Sequence, residues 1–106
     1  MADTKSRLEF LEEAVRADAK NTFARYGLAM ELKNSGKPGD ALTQFEYLLE
    51  HHPDYAATYA QAANVLAGMG RVEDARNVLR KGIEVNASQG KTHAREELQA
   101  ALDDLP

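Results

Sequence analysis

The chain has no cysteine and no tryptophan, and only three of its residues are proline. Without cysteine there is no disulfide framework and no thiolate chemistry. No apolar run approaches the ~20 residues that a membrane-spanning helix requires. The segment from Met1 to Glu13 alternates charge and lacks an apolar core, so it does not read as a secretory leader. A basic half is also missing: residues 1–53 carry 7 basic and 9 acidic side chains, and residues 54–106 carry 6 and 8. A chain without a cationic face has no footprint for a phosphate backbone. No nucleic-acid partner and no membrane partner are therefore expected, and the expected location is the cytoplasm.

What the chain does have is a repeat. At 106 residues it has room for one domain with a modest core, and its apolar residues are mostly leucine and alanine, which favour helices. Tyr59, Ala62, Ala63 and Leu66 fall on one helix face at the i, i+3, i+4, i+7 spacing. Gly70 breaks that stripe, and Val72, Ala75, Leu79, Gly82 and Ile83 form a second one. Shifting the frame back by 34 residues lays Ala63 on Ala29, Leu66 on Leu32, Gly70 on Gly36, Ala75 on Ala41 and Leu79 on Phe45. A further shift of 34 puts Leu8, Leu11 and Val15 under Leu42, Phe45 and Leu49.

Two helices per 34 residues is the tetratricopeptide spacing, and the residues resemble that family. Tyr59, Ala63, Gly70, Ala75 and Leu79 match its pattern in one copy, and Ala29, Gly36, Ala41 and Phe45 in the other, with Pro53 closing the unit. Three positions depart from it: Arg25 replaces an aromatic, Leu48 sits at a usually small site, and Ala87 stands where a second proline belongs. The resemblance implies an all-α fold of antiparallel helical hairpins, stacked as a short α-solenoid of a small bacterial-type tetratricopeptide protein. Six helices are expected: a half-repeat at 4–18, full repeats at 22–53 and 56–89, and a C-terminal capping helix at 91–104. All belong to a single domain, 1–106.

Local signals set the expected ends. Ser6 with Glu9 forms a capping-box pattern, and Asn21 and Thr22 are caps for the second helix. Gly36 supplies a left-handed turn, Pro38 suits the first turn of the third helix, and Asp54 is the expected cap of the fourth. The fifth helix is expected over 72–85, followed by a polar loop from Asn86 to Gly90. In the sixth, Ala94, Leu98, Ala101 and Leu102 face inward while Arg95, Glu96, Gln99 and Asp103 face out, the pattern of a terminal cap.

In stacked hairpins of this family the first helix of each unit lines a concave surface. By that resemblance the candidate partner-binding groove comprises Phe23, Tyr26, Met30 and Lys33, then Ala57, Ala60, Gln61 and Asn64, with Arg95 from the cap. Phe23 and Tyr26 either line this groove or fold inward as core. Some family members clamp acidic C-terminal tails with cations on this surface. Those sites fall here on Tyr26, Met30 and Gln61, so that clamp is not expected.

His51-His52-Pro53-Asp54 holds the only clustered metal-ligand residue types, but adjacent histidines at a helix end diverge. They read as favourable charge near a helix C-terminus, and His93 as a surface residue. Arg76, Arg80 and Lys81 alternate with Glu73, Asp74 and Glu84 as a solvated helix face. No nucleophile has a base at a usable spacing. No enzyme, no metal and no cofactor are expected. The expected function is a protein–protein interaction module, an adaptor or scaffold holding a partner peptide or helix. The alternative is a structural module that self-associates. A monomer or weak homodimer is expected, with any dimer contact on the first helix beside Phe10.

Overall fold

The computed structural model describes residues 6–106. Six helices follow in order: α1 (Arg7–Ala17), α2 (Thr22–Asn34), α3 (Pro38–His51), α4 (Ala56–Gly68), α5 (Val72–Ser88) and α6 (Thr92–Asp103). No strand occurs among the described residues, and residues 4 and 5 of the expected first helix lie outside them. The helices stack in sequence. α3 is packed between α2 and α4, α5 between α4 and α6, and α1 rests on α2. The radius of gyration is 14.7 Å, above the ~13 Å of a globular 100-residue domain, and the extents of 50 × 29 × 19 Å are those of a short solenoid.

Three turns are built alike. Gly36, Gly70 and Gly90 have φ of 75°, 81° and 70°, a conformation that a Cβ disfavours. After each, the next amide reaches back to a carbonyl five residues earlier: Lys37 to Leu32 at 2.9 Å, Arg71 to Leu66 at 2.8 Å and Lys91 to Asn86 at 2.9 Å. These are Schellman closures, which satisfy orphan carbonyls at a helix end. The N-termini are less uniform. Ser6 and Glu9 form the reciprocal capping box of α1, and Asn21 accepts from the Ala24 amide at 3.0 Å. Pro38 opens α3.

Two expected boundaries are corrected. Asp54 does not cap α4; Tyr55 holds the cap position with no side-chain acceptor. The polar loop expected from Asn86 does not exist as such, because α5 continues through Ser88. No proline interrupts it at Ala87, and Asn86 is fully buried, its amide donating to the Gly82 carbonyl at 2.7 Å. The polarity of Asn86 suggests loop, but burial and a helical back-bond keep it in the helix.

One core spans the stack, from Leu11 through Leu28, Ala29, Phe45 and Leu48 to Tyr59, Ala63, Leu79 and Leu98. Its two central units solve the same packing problem with opposite volumes. In the second unit the Tyr59 ring lies against Gly82, so tightly that a Cβ there would stand 2.6 Å from Tyr59 Cγ and 2.9 Å from Leu98 Cδ1. The counterparts 34 residues earlier are Arg25 and Leu48. Leu48 is fully buried, and Arg25 turns aside, its guanidinium 3.6 Å over the Tyr47 ring and its Nη1 donating to Gln44 Oε1 at 2.8 Å. The two departures from the family pattern therefore compensate each other: a large residue on α3 replaces the aromatic missing from α2.

Thr58 is fully buried on α4, and its hydroxyl has no hydrogen-bond partner among the described residues. Such a group carries a desolvation penalty of ~1–3 kcal/mol. Thr58→Val keeps the shape and removes that group, so it is expected to stabilise the fold by about 1 kcal/mol. The midpoint of urea unfolding should rise; an unchanged or lower midpoint would show that the hydroxyl is satisfied in solution.

Candidate functional site

α2 presents Phe23, Tyr26 and Met30 on its inner side because these residues flank the buried stripe of Leu28, Ala29 and Leu32. Above them is a hollow of about 500 Å³, lined by Arg7, Thr22, Phe23, Tyr26, Gly27, Met30 and Tyr55. Phe23 is 86% exposed. Tyr26 is half-buried, its ring meeting Phe45 edge-on at 6.0 Å and Tyr55 at 5.5 Å. Of the two arrangements left open for these aromatics, Phe23 takes the outward one. Tyr26 takes part in both, with one side in the core and the other in the hollow.

A second hollow of about 250 Å³ lies between α4 and α6, over Ala56, Ala57, Ala60, Ala94 and Leu98, with His93 and Glu97 at its rim. His93 Nε2 and Glu97 Oε1 are 2.6 Å apart. The hollows adjoin at the start of α4, where Tyr55 belongs to the first and Ala56 and Ala57 to the second. Between α2 and α4, Lys33 Nζ donates to Gln61 Oε1 at 2.9 Å, so this cation is already engaged. Asn64 and Arg95 are exposed and line neither hollow. On the opposite side, a hollow of about 270 Å³ lies among Leu49, Pro53, Tyr59, Asn77, Val78 and Lys81.

The sequence pattern did not single out Gly27 or Tyr55, and it reads His93 and Glu97 as surface residues without pairing them. Gly27 matters because it has no side chain: a Cβ there would stand 3.1 Å from Leu11 Cδ2 of α1. Tyr55 precedes its helix, and one repeat earlier the frame holds Asn21, so no repeated aromatic marks it. Charge alternation on α6 conceals the His93–Glu97 pair. His52 also has a part the sequence did not suggest: its Nε2 is hydrogen-bonded to Thr22 Oγ1 at 2.9 Å, tying the end of α3 to the start of α2. Among the described residues no group of three or more His, Cys, Asp or Glu converges to hold a metal ion, and no helix is long and apolar enough to cross a membrane.

Burial, and next the phenol of Tyr55, raise the Tyr26 pKa above its ordinary value of 10.0. Burial, and next the charge of Asp54, do the same for Tyr59, whose hydroxyl donates to the Pro53 carbonyl. Above about pH 10 the unfolded chain loses these protons before the folded one does, so stability falls as pH rises through that range. Chemical denaturation at pH 9 to 11 should show this decline, and Tyr59→Phe should make it shallower; an equally steep decline would place its origin elsewhere.

The comparisons with known proteins agree with the geometry. Residues 32–102 match the family model described as tetratricopeptide repeat. A solution structure of a tetratricopeptide repeat domain protein from Salinibacter ruber is 35% identical, with a TM-score of 0.74 over 80% of this chain and 86% of that one. A crystal structure from the same organism gives 0.70 at 35% identity, over 78% and 92% of the two chains. Among curated proteins, the Protein STIP1 homolog of Dictyostelium discoideum is 26% identical over 102 residues, which are 96% of this chain and 17% of that protein. With the helical hairpins, the glycine turns and these matches together, the chain belongs to the tetratricopeptide repeat family.

Proposed function

We propose that the chain is an interaction module that receives one large apolar side chain of a partner peptide or helix in the hollow of Phe23, Tyr26, Met30 and Tyr55. Tetratricopeptide domains generally mediate protein–protein interaction, typically without catalysis. The observation that carries the finer reading is the placement of exposed apolar surface. Of the four large hydrophobic residues exposed among the described residues, Phe23 and Tyr55 both line this one hollow. Such a patch, rimmed by polar residues, marks an interaction site, and interface energy concentrates in pockets of this kind. The rest of the partner lies over Ala57 and Ala60, with exposed Asn64 and Arg95 beside the hollows, and the remaining donors of Lys33 and Gln61 beyond their mutual hydrogen bond, fixing its register.

Selection of a displayed random-peptide library against the immobilised chain tests this reading. The enriched peptides are expected to share one leucine, phenylalanine or tryptophan. Phe23→Ala should weaken them by about 2 kcal/mol, roughly 30-fold, with an unchanged melting temperature because that ring is almost wholly exposed. Tyr26→Ala is a poorer probe, since Tyr26 also braces Phe45. Peptides that share no large apolar residue, or that ignore Phe23→Ala, would refute it.

A further inference from the structure

We propose, resting on the peptide-binding reading above, that the side chain received beside Phe23 is aromatic, and that the partner is a segment presenting an exposed tryptophan. The walls of the hollow select for a ring. Phe23, Tyr26 and Tyr55 all line it, together with Met30. The Tyr26 and Tyr55 rings have centroids 5.5 Å apart and planes inclined at 73°. A planar guest between walls so nearly perpendicular lies along one and edge-on to the other, and aromatic pairs favour both the offset-stacked and the edge-to-face arrangement. The Met30 thioether adds a sulfur–ring contact that an aliphatic guest does not make.

Charge complementarity decides among the side chains that an apolar hollow admits. Among the described residues, Arg7 is the one charged member of the lining. Its Nε lies 3.4 Å from Glu31 Oε2, and its side chain is 69% exposed, so the guanidinium keeps surface to offer a ligand. A leucine gains burial here but has no charge distribution that answers the cation. A lysine is drawn to the aromatic faces and repelled by Arg7. A ring has a negative face and a positive edge, so it can meet Arg7 with the one and a tyrosine face with the other. The chain already uses such a pairing internally, where the Arg25 guanidinium lies 3.6 Å over the Tyr47 ring. Of the aromatic side chains, indole has the face most attractive to a cation, and a hollow of about 500 Å³ has room for it.

The test uses four synthetic versions of one library-selected peptide, with tryptophan, phenylalanine, leucine or lysine at the shared position, titrated calorimetrically into the full chain. The tryptophan version should bind at least ~10-fold more tightly than the leucine version, with phenylalanine between them and lysine weakest. Since the chain has no tryptophan, indole emission reports the peptide alone, and it should shift to the blue on binding as the ring leaves water. Arg7→Gln should narrow the tryptophan-over-leucine preference about 3-fold while leaving the leucine version's affinity and the melting temperature unchanged, because the Arg7–Glu31 pair is largely exposed. A leucine version as tight as the tryptophan version, a lysine version tighter than both, or a preference indifferent to Arg7→Gln overturns the aromatic assignment. Each of these results leaves the apolar hollow standing so long as Phe23→Ala weakens binding. If no version responds to Phe23→Ala, the peptide-binding reading fails and the assignment fails with it.

Discussion

Phe45→Ala is expected to cost about 3–5 kcal/mol, the range for truncating a buried aromatic. The ring is fully buried at the centre of the first complete hairpin, with Tyr26 edge-on against it. Its removal leaves a cavity that the rest of the cluster is too constrained to fill, since Leu42 and Leu48 of the same helix are themselves already buried in it. At ~4–8 °C per kcal/mol for a domain of this size, the melting temperature should fall by at least ~12 °C. A fall of only a few degrees would mean that the helices are loosely stacked and that the core is not shared between units.

The second large effect comes from adding atoms. Gly82→Ala inserts a methyl group 2.6 Å from Tyr59 Cγ and 2.9 Å from both Tyr59 Cβ and Leu98 Cδ1. Tyr59 cannot easily retreat, because its ring is buried and its hydroxyl is held by the Pro53 carbonyl. The backbones of α4 and α5 must part, at a cost of roughly 1–3 kcal/mol. Gly82→Leu, which recreates the Leu48 arrangement, should cost more than Gly82→Ala while Tyr59 remains. Thermal melts of both variants check this. If alanine is neutral at 82, the close approach of these helices does not exist in solution.

These two sites also show how much of the fold was legible in the sequence. The period of 34 carried the hairpins, because apolar stripes and turn glycines recur wherever helices must bury one face and reverse. Gly36 and Gly70 were found this way, and so was the buried set around Ala29, Ala63 and Phe45. The exchange of volume between Arg25 with Leu48 and Tyr59 with Gly82 was visible only as isolated departures from a pattern. A sequence shows each residue's size, but not which partner gives way to it. Asn86 illustrates a related limit of pattern: its polarity points to loop, while its burial in α5 depends on neighbours distant in sequence. The candidate surface was legible on α2, where Phe23, Tyr26 and Met30 follow helical spacing. It was not legible at Gly27 or Tyr55, which come to the hollow from a missing side chain and from the residue capping α4.

The proposed binding surface is the inner face of the stack, at the hollow beside Phe23. Its most direct test is amide chemical-shift mapping of the isotope-labelled chain during titration with a library-selected peptide. The largest shifts are expected at Phe23, Tyr26, Gly27, Met30 and Tyr55, with smaller ones at Ala57 and Ala60. Shifts concentrated instead at Asn77, Val78 and Lys81, on the opposite hollow, would contradict this placement.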